Sequence, residues 1–412
     1  MKDYIFLECP SCGYRKDVKD LRLDCKVCGY PSALFHIGYD RLPQNFPLKE
    51  YSYPILRYIP ILPLEFEEIV DSTVGGTPLF HSKNLGALLG LKNLYIKDET
   101  RNASGSFKDR GAIVGVSAAK ALGYSFVGVA SSGNFASATA RACTLSGLKC
   151  IVLVPEDTPE EKMVMIAAYG GKVVKVRGIF DDCRRLSIEL SKKKDIVSAS
   201  WDLKPFTLEG WKTTLLEIFE QMNYTLPDTI ILPTGGGGHL LGTWKAAKEL
   251  LMMKKVTSLP RIIGVQASGS APYVKAVKEN LSYVPKIENP QTIAKSLKVS
   301  SPSEKNEVLK AVRECDGTFI DVTDEEILDA VALLSKMEGV FPEPGAAAPV
   351  AGLKKLVEKG LIDSSEKVVV IVTGSGLKDI TDVKNVFGSF ASVEKDLPVE
   401  DLFALAKSFY KL

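Results

Sequence analysis

Short apolar runs rich in β-branched residues alternate with longer helical patterns over most of the chain. In the helical patterns, such as residues 136–143 and 240–251, apolar positions recur at the spacing of one helix face. Alternation of strands and helices predicts parallel sheets that are covered by helices on both faces, which is an α/β fold. The predicted strands are residues 94–97, 126–130, 150–154, 172–176, 229–232, 261–266, 318–322 and 367–372.

Two stretches rich in proline and polar residues, 38–63 and 281–303, interrupt this alternation and are predicted to be long connections. At the carboxyl end, residues 392–412 have an amphipathic helical pattern, which we expect to pack on the body of the protein. Its apolar face consists of Leu402, Leu405, Ala406, Phe409 and Leu412.

Near the amino terminus, Cys9 and Cys12 form one cysteine pair and Cys25 and Cys28 form another, with twelve residues between the pairs. Two cysteines in a tight turn can present two thiolates to one tetrahedral ion, and two such turns complete a four-sulfur site. The spacing predicts a structural Zn²⁺ in a zinc ribbon. Two disulfides, or free thiols without metal, remain the alternatives, although nothing else indicates an oxidising compartment.

Composition and charge limit the classes of function that the protein could have. With 412 residues, 45% of them hydrophobic and 25% charged, the chain has the size and composition of a two- or three-domain enzyme. Its formal net charge is only +2, and residues 1–38 carry six basic and five acidic residues, so we expect no nucleic-acid partner. The apolar runs are too short for a membrane span and the start of the chain is unlike a signal peptide, which predicts a cytoplasmic protein. Cys143, Cys150, Cys183 and Cys315 are predicted to be buried thiols.

Lys108 is the candidate catalytic residue. It follows the turn Ser104-Gly-Ser-Phe and opens an apolar helical pattern. A partly desolvated lysine at a helix start has its ammonium form disfavoured, so its amine can form a Schiff base with an aldehyde. A surface lysine that merely opens a helix is the alternative interpretation.

Two further loops connect a predicted strand to a predicted helix. In Ala130-Ser-Ser-Gly-Asn-Phe135, backbone N–H groups could bind a carboxylate and Asn134 could bind a phenolic oxygen. In Thr234-Gly-Gly-Gly-Gly238, the glycines allow the backbone to wrap around a phosphate. An ordinary helix cap and a flexible turn are the respective alternatives. An amine, a ring-oxygen ligand and a phosphate loop are together what pyridoxal 5'-phosphate requires.

With these motifs, the chain resembles fold-type II pyridoxal-phosphate enzymes of the tryptophan synthase β-like kind, and within them the threonine synthase family. The resemblance implies two three-layer domains with parallel sheets and the cofactor in the cleft between them. The small domain would be residues 122–200, and the large domain residues 39–121 and 201–391. The zinc ribbon (1–38) and the carboxyl-terminal helix (392–412) would lie outside them. Other supporting segments are 154–155, 178–182, 208–213, 292–294, 343–344 and 373–379.

The resemblance also implies roles for individual residues. Lys108 would be the Schiff-base lysine and proton shuttle, with Phe107 packed beside it. Thr373 would place a neutral hydroxyl against the pyridine nitrogen, and Asn134 would bind the 3′ oxygen. The cofactor phosphate would be held by Gly235, Gly236, Gly237 and Gly238. The substrate carboxylate would be bound by Ser131, Ser132, Gly133 and Asn134.

The implied reaction converts O-phospho-L-homoserine and water to L-threonine and phosphate. One departure concerns this small-molecule substrate: the family segment R-L-E-G-Q-K-T reads T-L-E-G-W-K-T here, with Thr207 in place of the arginine expected to grip the substrate phosphate. The four-glycine loop is also closer to that of dehydratases. The alternative is therefore a serine/threonine dehydratase, or a β-replacement enzyme acting on another phosphorylated amino acid. Candidates for the missing charge are Lys204, Lys212, Arg184 and Arg185, and a position on a solvated helix face is the favoured alternative for each. A homodimer formed through the ribbon or the last helix remains open.

Overall fold

The computed structural model describes residues 1–44, 46–48, 51–52, 54–387 and 398–410. The strands are β1 (Ile5–Glu8), β2 (Arg15–Lys16), β3 (His36–Tyr39), β4 (Leu79–His81), β5 (Asn93–Asp98), β6 (Phe126–Ala130), β7 (Lys149–Pro155), β8 (Lys172–Val176), β9 (Ile196–Ser198), β10 (Thr229–Pro233), β11 (Arg261–Ala267), β12 (Thr318–Val322) and β13 (Lys367–Val372). The helices are α1 (Pro54–Arg57), α2 (Lys83–Leu89), α3 (Lys108–Ala121), α4 (Asn134–Ser146), α5 (Glu160–Ala168), α6 (Phe180–Ser191), α7 (Lys204–Gln221), α8 (Gly238–Met252), α9 (Pro272–Lys278), α10 (Lys305–Glu314), α11 (Asp324–Glu338), α12 (Pro344–Glu358), α13 (Ile380–Val383) and α14 (Val399–Tyr410).

The described residues form three sheets. The largest has the strand order β12-β11-β10-β13-β5-β4, and its strands are parallel except for the edge strand β4, which is antiparallel to β5. A second sheet, in the order β8-β7-β6-β9, is entirely parallel. The third is a small antiparallel sheet of β2, β1 and β3 that contains the cysteine turns. The predicted α/β class with parallel sheets is confirmed.

Helices cover both faces of the six-stranded sheet because its strands are apolar on both sides. In β13, Val369 and Ile371 belong to one core with helices α3, α7 and α8. Val368, Val370 and Val372 belong to the opposite core with α11 and α12. Successive side chains of a strand point to opposite faces of the sheet, so the side chains of a continuous apolar run are buried on both faces.

Every predicted strand is found in the structure. Four have the predicted bounds, 126–130, 172–176, 318–322 and 367–372, and the others are longer by one or two residues. The strands of the four-stranded sheet fall between residues 126 and 198, inside the range assigned to the small domain, but the division into domains itself stays a prediction.

The connection predicted at 38–63 packs more closely than expected. It contains α1, and its side chains Ile55, Tyr58, Ile61 and Leu62 are buried in the main core. Apolar residues in this stretch lack a clear period, which is why the sequence pattern did not reveal their burial.

At the carboxyl end, α14 confirms a helix within the predicted range. We expected its apolar face to pack on the body, yet Leu402 is 48% exposed. The side chains of Ala406, Phe409 and Leu412 lie outside the described part of the chain. Among the described residues, no helix has the length and apolar character needed to cross a membrane.

Candidate active site

The turn before Lys108 is held against the end of the central strand β13. Phe107 N donates to the Thr373 carbonyl at 3.0 Å, and Ser375 N donates to the Gly105 carbonyl at 2.9 Å. Gly105 has a φ of +76°, a left-handed conformation that glycine adopts without strain. These bonds place the first residue of α3, Lys108, at the carboxyl end of the sheet, where ligands of open α/β sheets bind.

Aromatic rings surround the Lys108 amine. Its Nζ lies 4.5 Å from the ring centroids of both Phe107 and Trp211, and 5.8 Å from that of Phe135. Burial lowers the pKa of Lys108 to about 8, although the carboxylates of Glu304 and Glu343 act in the opposite direction. A lowered pKa increases the fraction of neutral amine near pH 7, which is what a nucleophile and proton shuttle needs.

His239, on helix α8, packs against the Phe107 ring. The two rings are stacked, with centroids 4.0 Å apart and an interplanar angle of 15°. The His239 Nε2 lies 3.1 Å from Thr214 Oγ1. Burial lowers the pKa of His239 to about 3, so the imidazole is neutral and can pack against Phe107 without a charge.

Asn134 begins α4, and its amide group is held by two charged side chains. Its Nδ2 donates to both carboxylate oxygens of Glu343, at 3.0 and 2.9 Å, and its Oδ1 accepts from Lys378 Nζ at 2.9 Å. Burial raises the pKa of Glu343 and lowers that of Lys378. Both residues lie in segments shared with the family, but no role was predicted for them. Their contacts with Asn134 span more than two hundred residues, so no local pattern could have revealed them.

The loop of Ser131, Ser132 and Gly133 joins β6 to α4. Gly133 N donates to Ser131 Oγ at 3.3 Å, while both serines remain partly exposed. The loop therefore leaves hydroxyl and backbone N–H groups accessible at a helix start, where a carboxylate can bind.

The glycine loop lies between β10 and α8 and is closely packed on several sides. A Cβ atom would lie 2.9 Å from Ser296 O if placed on Gly235, 2.5 Å from Val308 Cγ2 if placed on Gly237, and 2.3 Å from Trp211 Cζ3 if placed on Gly238. A Cβ on Gly236 would meet nothing within 4 Å. The loop thus offers a side-chain-free backbone with one open side at a helix N-terminus, which fits a phosphate group.

Trp211 connects these parts of the site. Its ring centroid lies 4.5 Å from the Lys108 amine, and its Cζ3 would lie 2.3 Å from a Cβ placed on Gly238. It stands where the related segment has glutamine, and no role was predicted for it.

Thr373, next to the glycine-rich turn at 374–376, is buried and is linked to Lys108 through the Phe107 N–H bond. The structure therefore brings together Lys108, Asn134, Thr373 and the glycine loop.

The four candidates for the missing charge lie in different surroundings. Lys212 is buried and paired with Glu209 and Glu249, which excludes it from the cleft. Arg185 is exposed and lies beside Asp182, and Arg184 lies over the Trp201 ring. Lys204 lies at the start of α7 and pairs with Glu304.

The four cysteines of the amino-terminal sheet converge. All four Sγ atoms lie within 4.8 Å of one another, with Cys9 and Cys28 at 3.7 Å and Cys12 and Cys25 at 3.5 Å. Sulfurs bound to one tetrahedral Zn²⁺ at about 2.3 Å are roughly 3.8 Å apart, so the cluster fits the ion. The other four cysteines are buried free thiols, as predicted.

Comparison with known proteins agrees with this geometry. The family model described as "Pyridoxal-phosphate dependent enzyme" matches residues 70–374. The chain is therefore a pyridoxal-phosphate-dependent enzyme. Threonine synthase of Methanocaldococcus jannaschii is 39% identical over 376 residues, which cover 90% of this chain and 92% of the relative. Threonine synthase of Methanosarcina acetivorans is 36% identical over 410 residues, which cover 97% and 99%. The chain belongs to the threonine synthase family of pyridoxal-phosphate-dependent lyases.

Solved structures share the fold. Threonine deaminase isoform 2 of Solanum lycopersicum matches with a TM-score of 0.66 and 25% identity, and the match covers 83% of this chain and 92% of that one. Serine racemase of maize matches with a TM-score of 0.63 and 24% identity, over 84% and 95% of the respective chains. The second similarity concerns the fold alone.

Proposed function

We propose that the protein is a threonine synthase that converts O-phospho-L-homoserine and water to L-threonine and phosphate. The observation that carries the proposal is the convergence of the desolvated Lys108 amine, the Asn134 loop and the glycine loop at one edge of the sheet. The near full-length similarity to proteins named threonine synthase supports the same reaction.

Pyridoxal phosphate, when bound, supplies an electron-withdrawing ring that acidifies the protons of the substrate amino acid. Lys108 would hold the cofactor and move protons at its Nζ, because its pKa of about 8 lets the amine both accept and return a proton near neutral pH. Gly235 to Gly238 would hold the cofactor phosphate, Asn134 would bind the 3′ oxygen and Thr373 would contact the ring nitrogen. The rings of Phe107 and Trp211 limit the access of water to the amine.

Substrate orientation is assigned to the loop of Ser131, Ser132, Gly133 and Asn134. A carboxylate bound there would meet backbone N–H groups at the start of α4 and the favourable end of its dipole. Since Asn134 begins the same helix, the loop can position the substrate beside Lys108.

We also propose that Cys9, Cys12, Cys25 and Cys28 bind one structural Zn²⁺. Each pair lies in a turn closed by a backbone bond, from Gly13 N to the Cys9 carbonyl at 2.9 Å and from Gly29 N to the Cys25 carbonyl at 2.8 Å. Four thiolates leave no open coordination position, so the ion would stabilise the ribbon and take no part in the reaction.

A serine/threonine dehydratase is the second candidate, and one specific observation favours it. Thr207 does not face the cleft: its Oγ1 donates to the Leu203 carbonyl at 3.0 Å, and its Cγ2 would lie 2.7 Å from a Cβ on Gly111 of α3. The position of the family's phosphate-gripping arginine therefore provides no contact to a substrate phosphate.

The deciding experiment measures phosphate and threonine in one tube after the cofactor-loaded protein is mixed with O-phospho-L-homoserine. A parallel tube measures keto acid formed from threonine and from serine. Equal amounts of phosphate and threonine are expected. Keto acid without any phosphate release would identify a dehydratase instead.

A further inference from the structure

Lys204 is one of the four candidate cations, and it lies beside Trp211 and the end of the glycine loop. It lines a cavity of about 20 Å³ together with Trp211, Gly238 and Glu304, and the remaining walls are formed by residues 33–36 of the amino-terminal segment, Leu208 and Leu241. The Trp211 ring centroid lies 4.5 Å from the Lys108 amine, and Gly238 is the last residue of the glycine loop. Lys204 thus lies near both Trp211 and Gly238 of the proposed cofactor phosphate loop, one helical turn before Thr207 on α7.

The Lys204 ammonium is already held in a defined position. Its Nζ donates to Ser303 Oγ at 2.6 Å and to Glu304 Oε1 at 2.8 Å. Ser303 Oγ in turn donates to Glu304 Oε2 at 2.6 Å. Only about a fifth of either charged side chain is exposed, at 20% for Lys204 and 16% for Glu304. An ammonium and a hydroxyl that converge on one carboxylate form a site of the kind that an anionic oxygen group occupies.

Glu304 is the residue immediately before α10, so its side chain can rotate away without disturbing a helical turn. The cavity of about 20 Å³ holds about one water molecule, and a phosphate group can enter only if the carboxylate leaves. A carboxylate and a phosphate monoester are both anions that accept hydrogen bonds from Lys204 and Ser303, so they compete for the same donors.

We propose that Lys204 and Ser303 bind the phosphate monoester of the amino-acid substrate, in place of the arginine missing at position 207, and that Glu304 occupies these donors when substrate is absent. The inference rests on the proposed function, because it names the subsite for the leaving phosphate of that same reaction. Inorganic phosphate, the product, would bind at the same place.

The test compares Lys204→Met with Lys204→Arg and with a matched control, Lys192→Met. Lys192 also pairs with a glutamate, Glu189, at 2.7 Å, but both side chains are exposed at the carboxyl end of α6, which Lys192 follows directly. We expect Lys204→Met to raise the KM for O-phospho-L-homoserine, and the Ki of inorganic phosphate, about tenfold or more, since a charge-assisted contact is lost. Lys204→Arg should retain most of the affinity, and Lys192→Met should behave as the unmodified protein does.

A second variant separates binding from structural damage. Glu304→Gln removes the competing anion and should lower the KM for the phosphorylated substrate and the Ki of phosphate, opposite to the effect of Lys204→Met. If the pair were merely structural, both variants would weaken binding in the same direction, and the proposal would be overturned.

The outcomes also distinguish a failure of the subsite proposal from a failure of the proposed function. Turnover of O-phospho-L-homoserine with an unchanged KM in Lys204→Met would reject the subsite and leave the synthase intact. If the unmodified protein binds this compound without releasing phosphate, the synthase is rejected, and the dissociation constant of Lys204→Met still decides the subsite. If the unmodified protein neither binds nor converts it, both proposals fail.

Discussion

The surroundings of Lys108 determine the reactivity of its amine. It is surrounded by the faces of Phe107, Trp211 and Phe135, and it forms no hydrogen bond to a carboxylate among the described residues. Because burial contributes most to its lowered pKa, its reactivity depends on the packing of these rings.

Lys108→Ala should abolish the visible absorbance band of the bound cofactor together with activity, because the Schiff base requires this amine. Spectra of the purified variant after incubation with pyridoxal phosphate measure the effect. Lys120→Ala, at the exposed end of the same helix α3, is the control and should keep the band. A band of unchanged intensity in Lys108→Ala would contradict the assignment.

The rate at which the apoprotein captures pyridoxal phosphate should depend on pH through the Lys108 amine. The pKa of Lys108 is lowered from 10.5 to about 8. The neutral form of the amine is therefore the minor form below pH 8 and nearly the only form well above pH 8. The rate should therefore rise with pH and level off above about 8 to 9. Glu304→Gln removes a charge that raises this pKa, so its profile should shift to lower pH. Stopped-flow absorbance measures both profiles, and a rate still climbing at pH 10 would argue against a desolvated lysine.

Gly236→Ala tests whether the open side of the glycine loop receives the cofactor. A Cβ there meets nothing within 4 Å in the protein, so the melting temperature of the apoprotein should hardly change. If the phosphate fills that space, the methyl group should raise the dissociation constant of pyridoxal phosphate roughly tenfold, by displacing a backbone contact. Equal cofactor affinity in the two proteins would show that the phosphate binds elsewhere.

Helices α3 and α7 form the support on which the site is built. They approach so closely that a Cβ on Gly210 would lie 2.1 Å from the Arg110 carbonyl. Arg110 itself is buried and pairs with Glu99 at 2.7 Å and with Glu217 at 3.1 Å. Burial alone would raise the pKa of both glutamates, but the charge of Arg110 lowers it, so both remain ionised. The network joins α3 and α7 to Glu99, the residue after β5, and Arg110 follows Lys108 by two residues on α3.

Arg110→Met should destabilise the protein by about 3–5 kcal/mol, because it leaves two buried carboxylates without their main partner. Arg101→Met is the matched control. Arg101 pairs with Asp98 at 3.4 Å but is 71% exposed, so its loss should cost less than about 1 kcal/mol. Urea unfolding of both variants gives the two free energies, and similar values would contradict a structural role for the buried network.

At the scale of the whole molecule, the amino-terminal segment with the three-stranded sheet (residues 1–39), which we call the ribbon, contacts the rest of the protein at several places. Tyr39 Oη donates to Glu209 Oε2 at 2.5 Å, and Tyr30 Oη donates to Glu307 on α10. Arg22 reaches the carbonyls of Lys193, at 3.0 Å, and Ile196, at 2.5 Å, beside the four-stranded sheet. Ribbon residues also share the main apolar core. The ribbon is therefore an integral part of the fold, and its loss should affect the body.

Replacing a ligand of the proposed zinc site, as in Cys12→Ser, should reduce the bound metal from one ion per chain to far below one. The melting temperature should fall as well, because the free energy of metal binding stabilises the folded ribbon. Elemental analysis and thermal unfolding measure the two effects. Ser11→Ala, an exposed substitution in the same turn, should change neither. Full metal content in Cys12→Ser would exclude a four-cysteine site.

The sequence by itself determined the strands, the α/β class and the segments that carry the chemistry. Strands such as β13 were predictable because a run of apolar residues buried on both faces has a local signature. The loops that contain Asn134 and Gly236 were predictable for a similar reason, since turn residues and glycines directly follow β6 and β10. The turn before Lys108 was recognisable from its own Ser- and Gly-rich pattern. The cysteine turns likewise have a short, characteristic spacing.

Only the tertiary structure decided which side chains meet. The sequence did not show that Glu343 and Lys378 hold Asn134, because these contacts join distant segments. It also did not show that Trp211 lies beside both Lys108 and Gly238, or that Thr207 faces α3 while Lys204 pairs with Glu304. The face that a helical residue presents to the site depends on how α3, α7 and α8 pack around it. That packing follows from the complementarity of whole surfaces, including the close approach at glycines, and no local pattern encodes it.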